Sequence, residues 1–199
     1  MLDGSSSFPA TFSFDPPERV ANWRPLVNWL LAIPHLFVLN VLQSVSQVVG
    51  VISWFAIVFT GKLPDGLAKF QAMYLRYQLR TYAFAGFMRE EYPPFSFDAT
   101  TSDPGDDPRL RVDVQPQLTD RNRLTAFFRI ILVIPHVIVL AVLFIASFVV
   151  TVVAFFAVLF TGRWPVGMRD FVLNVWRWGL RVETYFLLLT DTYPPFALT

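Results

Sequence analysis

The chain contains no cysteine. Disulfides, iron–sulfur clusters, thiolate metal sites and cysteine nucleophiles are excluded at once, and so is a lipid anchor on cysteine. Only two histidines are present, too few for a histidine-rich metal or haem site. Charge is scarce as well. Of the 199 residues, 16% are charged, against about 25% in an ordinary soluble domain. Those charges nearly cancel, at +1, so no basic footprint for nucleic acid is expected. Residues 1–25 lack a basic stretch followed by an apolar core, so no cleavable signal is expected and insertion would rest on internal segments.

What is abundant is apolar. Hydrophobic residues make up 54% of the chain, with 21 Phe and 6 Trp. Mean hydropathy is +0.48. A soluble fold of this size cannot bury that much apolar surface, so an integral membrane protein is expected.

The sequence is a tandem duplication. Ile33-Pro34-His35 returns as Ile134-Pro135-His136, and Phe59-Thr60-Gly61 as Phe160-Thr161-Gly162. Pro64, Gly66, Arg76 and Arg80 match Pro165, Gly167, Arg177 and Arg181. Tyr92-Pro93-Pro94-Phe95 returns as Tyr193-Pro194-Pro195-Phe196. Every pair is separated by 101 positions without a gap. The units are 1–98 and 109–199, joined by a linker over 99–108 whose Gly, Pro and Asp content disfavours regular structure.

The order IPH, FTG-[KR]-x-P-x-G, two arginines four apart, then YPPF resembles a duplicated bacterial multi-pass membrane-protein family catalogued as a domain of unknown function. The resemblance covers nearly the whole chain. It implies a multi-pass bacterial membrane protein and brings no activity, substrate or catalytic residue.

Each unit reads in four parts. Residues 11–15 and 109–114 alternate polar and apolar, as strands do. Apolar runs come next, over 26–61 and 127–162, longer than the roughly 20 residues of one crossing. Pro34 and Pro135 divide each run into an interfacial lead-in helix and a span, over 35–59 and 136–160; two short spans per run is the other reading. Gly61 and Gly162, with proline just after, mark a tight turn. Second helices over 67–89 and 168–190 are long enough to return across a bilayer. The expected class is all-α integral membrane: two pseudo-symmetric helical-hairpin repeats, about four spans, and short juxtamembrane β strands. The units are expected about a two-fold axis along the membrane normal. The strands, joined by the pieces after each YPPF, are expected to form a small sheet on the terminal side.

The second helices carry the candidate site. Asp170, Asn174, Arg177 and Arg181 fall on one helical face, and Arg76 and Arg80 repeat its arginines. Arginine at mid-bilayer depth costs from about 2.5 to well over 10 kcal/mol, so these groups need partners or an interfacial position. An architectural role, an anion or substrate pathway, and a docking surface all fit. Expected partners are Asp170, Asn174, Glu183, tyrosine hydroxyls, carbonyls, water or lipid phosphate. His35 and His136 read as interfacial hydrogen-bonding groups. A metal or haem role lacks further ligands at suitable spacing. Asp98, Asp103, Asp106 and Asp107 read as a solvated linker. The FTG turn lacks Walker spacing, and no catalytic triad or carboxylate pair is visible.

Lys and Arg number seven on the terminal side and four on the turn side, which places both termini in the cytoplasm. The functional expectation is a non-catalytic accessory or scaffold subunit of a larger membrane complex in the bacterial inner membrane. A small transporter or a lipid- or anion-binding membrane protein is the alternative. Expected partners are membrane lipids, including anionic headgroups, and other membrane subunits; no cofactor and no nucleic acid are expected.

Overall fold

A computed structural model describes residues 8–198. The expectation of no signal over residues 1–7 lies outside them. The first unit contains β1 (Ala10–Phe14), α1 (Arg24–Leu31), α2 (Ile33–Thr60) and α3 (Asp65–Ala85). The second contains β2 (Leu110–Val114), α4 (Arg123–Phe127), α5 (Arg129–Thr161) and α6 (Val166–Phe186).

The prolines act differently in the two units. Pro34 lies in the first turn of α2, where its missing N–H costs nothing, and the helix breaks just before it at Ala32. In the second unit the break comes earlier, at Phe128, and Pro135 sits inside α5. Asn122 caps α4 by accepting from the N–H groups of Leu124 and Thr125, each at 3.1 Å.

The FTG motif is a helix stop. Gly61 and Gly162 adopt φ of 71° and 68°, and their N–H groups close the last turns onto Ile57 and Val158. Thr60 and Thr161 donate to Ala56 and Ala157 carbonyls at 2.6 Å, and each hydroxyl accepts from the N–H two residues on at 3.2 Å.

The turns also join the two units. Val20 N–H donates to the Gly162 carbonyl at 2.9 Å, and Arg121 N–H to the Gly61 carbonyl at 3.2 Å. The lead-in of each unit is thus bonded to the far end of the other's long helix. Arg19 and Asn22 add bonds to the carbonyls of Thr161 and Leu159. This corrects the division into a terminal side and a turn side. Groups counted on opposite sides meet here, so the Lys/Arg count assigns no orientation.

α3 and α6 cross antiparallel, since Tyr74 reaches Glu183 while Tyr82 lies against Trp176. A two-fold relating antiparallel neighbours is perpendicular to them. Spanning α3 and α6 is therefore incompatible with an axis along the membrane normal. The antiparallel pair β1–β2, in register Phe12↔Val112, packs on the same two helices. The strand pieces expected after YPPF do not join it: 95–98 and 193–198 are irregular, and among the described residues the sheet has two strands.

Burial runs opposite to hydropathy. α3, with its charged stripe, is buried over most of its length. α5, with a mean hydropathy of 3.1 over its most apolar window, has 17% of that window buried; α2, at 1.8, has 22%. On α2 only one stripe is covered: His35, Leu39, Ser46, Ser53 and Ile57. Among the described residues α2 and α5 alone are long and apolar enough to cross a membrane, where four spans were expected.

Candidate functional site

Both arginine stripes point toward the sheet and the chain just past YPPF. Arg76 Nε lies 3.4 Å from the Val112 carbonyl and 3.3 Å from Asp103 Oδ2. Its Nη2 donates to the carbonyls of Thr100 and Ser102 at 3.0 and 3.1 Å. Arg80 Nη2 donates to both Asp103 oxygens at 3.1 Å and to Asp106 at 2.8 Å. Arg76, Arg80 and Asp103 side chains are 2–3% exposed. Asp103 also accepts from the N–H groups of Gly105 and Val112.

The linker is therefore folded, which corrects the expectation of solvated aspartates. Asp107 is fully buried against Arg89 at 2.5 Å, and its other oxygen accepts from the N–H groups of Arg109 and Leu110. Burial alone would raise the Asp106 carboxyl, but its bonds from Arg80 and Ser96 hold it below the usual range. Sequence reasoning weighed these acids against solvent and cations, not against the nearby arginines.

The second stripe has different partners. Arg177 donates to Asn174 at 2.6 Å and lies 5.7 Å from the Phe12 ring centroid. Phe12 is the register partner of Val112, so the two arginines meet opposite strands at equivalent places. Arg181 donates to the carbonyls of Arg177 and Ala197 at 3.3 and 2.8 Å. Arg177 and Arg181 border a cavity of about 230 Å³ with Phe8, Thr11 and Leu180. Asp170 does not join the stripe; it is exposed, 3.8 Å from Arg169. Glu183 faces Tyr74, at 3.3 Å, rather than an arginine. Burial, with bonds from Tyr74 and Gln78 only partly opposing it, pushes its carboxyl up to about 7.

The histidines explain why IPH and YPPF occur together. His35 is fully buried, stacked on Phe95 at 4.0 Å, with Tyr92 at 4.7 Å. Its Nδ1 is 2.7 Å from the Tyr77 hydroxyl. His136 stacks on Phe196 at 3.9 Å, with Tyr193 at 4.8 Å, and accepts from Trp178 Nε1 at 3.3 Å. The expectation of interfacial groups is corrected: both imidazoles are core pins joining the start of the long helix to the end of the unit. No cluster of three or more His, Asp or Glu suited to a metal occurs among the described residues.

A further pair of equivalent positions went unrecognised in the sequence. Asn28 donates to the carbonyls of Phe84 and Arg89 at 3.0 and 3.1 Å. Arg129, one repeat later, donates to Tyr185 and Thr190 at 3.1 and 2.9 Å, which are the equivalent carbonyls. Both close the end of the second helix, where Phe87 and Leu188 take φ of 47° and 64°. Glu90 and Asp191 likewise accept from the equivalent N–H groups of Ala21 and Asn122. The signal was present, because all these polar positions obey the repeat spacing.

Comparison with known proteins agrees with this internal symmetry. No curated protein and no solved structure matches the chain. The family described as Domain of unknown function (DUF4389) matches residues 22–96 and again 123–197, each segment running from the beginning of the lead-in through YPPF. The chain belongs to that family and carries its domain twice.

Proposed function

We propose that the protein is a non-catalytic membrane protein that serves as an accessory or scaffold subunit of a larger membrane assembly. The observation that carries this reading is the inverted burial of α2 and α5. A soluble core helix of such hydropathy is mostly covered, whereas these two present Phe37, Phe55, Phe59, Ile138, Phe148 and Phe160 at the surface. Soluble monomers rarely expose so large an apolar face; lipid or partner helices would cover it.

The two helices lie along the bilayer, with the two-fold axis along its normal. Both ends of α2 are tied to chain that flanks the sheet: His35 stacks on Phe95 near the linker, and Leu63 N–H donates to the Leu118 carbonyl just past β2. The polar layer of sheet, linker and arginines then faces water, and the arginines need not enter the hydrocarbon. Accessory action is supported by how the polar groups are used, since the stripes are consumed in holding the chain's own segments.

Gentle purification from native membranes, followed by mass spectrometry, tests the role. A co-purifying membrane protein is expected; a monomer that carries none overturns it. The placement has its own test, clean because cysteine is absent. Glu18→Cys and Lys62→Cys should react with an impermeant maleimide from the same side of sealed vesicles. Labelling from opposite sides would show that α2 crosses.

A further inference from the structure

The outer layer contains a cavity of about 480 Å³, a size typical of small-ligand sites. Val51 and Phe55 of α2, Ile130 of α5 and Phe186 of α6 supply apolar walls, and Gln47 and Arg129 supply its polar groups. The walls suit a hydrocarbon chain, and two features of Arg129 determine what its head would be.

The first feature is a nitrogen that makes no hydrogen bond, in a guanidinium that also lies over the Tyr185 ring at 3.7 Å. Asn28 performs the equivalent capping task with one amide nitrogen. Arg129 performs it with Nη1 and places Nη2 on Asp191 at 2.6 Å. Its Nε is buried without a hydrogen-bond partner, in a residue 1% exposed. A buried N–H donor left unbonded costs about 1–3 kcal/mol, so an oxygen acceptor there is favoured.

The second feature is charge. Arg121 and Arg129 share the single carboxylate of Asp191, at 2.8 and 2.6 Å. Their side chains are at most 2% exposed, and Asp191 is 15% exposed. Two cations against one anion leave this buried cluster with an excess positive charge. Burial alone would raise the Asp191 carboxyl, yet the Arg121 bond and the paired cations hold it below the usual range, while burial lowers the Arg129 guanidinium against the pull of Tyr185 and Asp191.

We propose that this cavity binds the acyl chain of an anionic lipid, with the head's oxygens at the Arg129 guanidinium and Gln47. The shared chemistry is one apolar chain with an anionic oxygen head, supplied by a phosphodiester lipid or a free fatty acid. The proposal rests on the membrane reading above. Its companion in the first unit is absent by chemistry, since Asn28 carries no charge.

Trp54 borders the cavity and reports on occupancy. The protein is reconstituted in phosphatidylcholine vesicles that contain brominated phosphatidylglycerol, brominated fatty acid or brominated phosphatidylcholine. The Trp54 signal is taken as the difference between the wild type and Trp54→Phe. Brominated phosphatidylglycerol or fatty acid should quench that signal more strongly than brominated phosphatidylcholine, and whichever quenches at lower content identifies the source. Arg129→Asn copies the first unit's cap, so the fold has a precedent, and it should abolish the preference. Val51→Trp should fill the cavity and lower quenching for all three; it is compared on its own Trp54→Phe background. Equal quenching by all three lipids, or a preference untouched in a folded Arg129→Asn variant, overturns the proposal. Flotation with the vesicles reads the membrane reading separately: protein that does not float fails that reading, whereas protein that floats without lipid preference fails this one.

Discussion

The same arginine pair does two jobs in the two units. In the first, Arg76 and Arg80 close on the Asp103 carboxylate and turn an acidic connection into a buried clamp. In the second, Arg177 and Arg181 reach Asn174, a helix carbonyl and the Ala197 carbonyl. What is common is the segment gripped. Arg76 contacts the carbonyls of Asp98 and Thr100, and Arg181 that of Ala197, all shortly after YPPF. The motif order then has a physical logic. The histidine holds YPPF, and the arginines hold the stretch of chain just past it. Aspartates succeed the first unit, and there the grip becomes a charge cluster.

Removing the aspartate should separate the two units most sharply. Asp103→Ala leaves Arg76 and Arg80 buried with much of their compensation gone, for which losses of about 3–5 kcal/mol are typical. Arg177→Leu removes a half-buried arginine with a neutral partner, worth about 1 kcal/mol, and should cost less. Thermal unfolding in one detergent, compared across both variants, measures the difference. Equal losses would mean that the two stripes are equivalent after all.

The next contrast lies where α3 and α6 cross. Position 82 is tyrosine, and its counterpart is Glu183, whose carboxyl is pushed up to about 7 by burial. A raised carboxyl favours the protonated folded state. Its stabilising effect is complete below the ordinary glutamate pKa of about 4.5 and is lost as pH rises to about 7. The wild type should therefore lose stability between pH 5 and 8, by roughly 3 kcal/mol at most. Glu183→Gln should flatten that slope, and melting scans across this range would show it. An unchanged slope would assign the pH dependence to other groups.

Much of this architecture was legible in the sequence, because duplication announces itself. The 101-residue spacing fixes the units, FTG fixes the helix stops, and period-two alternation finds β1 and β2. The expected second helices end four residues beyond the observed ones, since Phe87 and Leu188 stop them in a left-handed conformation that only tertiary packing stabilises. Their antiparallel arrangement was not legible for a deeper reason. Length and apolarity fit a crossing, but the antiparallel contact of Tyr74 with Glu183 depends on three-dimensional assembly. The folding of the linker aspartates was not legible because their partners Arg76 and Arg80 lie far back in the chain, on another element.

The FTG glycines sharpen the comparison at smaller scale. Both are left-handed, a conformation that costs an ordinary L-residue about 1–2 kcal/mol. A Cβ on Gly162 would also meet the Val20 carbonyl oxygen at 2.8 Å, a backbone atom that the inter-unit bond holds in place. A Cβ on Gly61 would meet the end of the Arg123 side chain at 3.2 Å, which can swing aside. Gly162→Ala should therefore cost more than Gly61→Ala, by roughly 1 kcal/mol of overpacking. Equal melting temperatures for the two variants would show that the Val20 bond yields as readily as a side chain does.

The smallest effect concerns the histidine cages, which differ in one partner: a tyrosine hydroxyl for His35, an indole for His136. Tyr77→Phe removes the only described partner of the His35 Nδ1 and keeps the ring, so the loss should be about 1 kcal/mol. The cost comes from stranding a buried polar nitrogen, since a net hydrogen bond is itself worth little. His35→Phe on the same background should then recover stability. Two buried apolar rings of similar shape have nothing to satisfy, and the Phe95 stack at 4.0 Å accepts a phenyl ring as well as an imidazole. The double variant melting at or above the single one would identify the cage as a packing device. A double variant weaker than Tyr77→Phe would show that the imidazole is needed for itself, through its Nε2, which is buried without a described partner in the His35 cage.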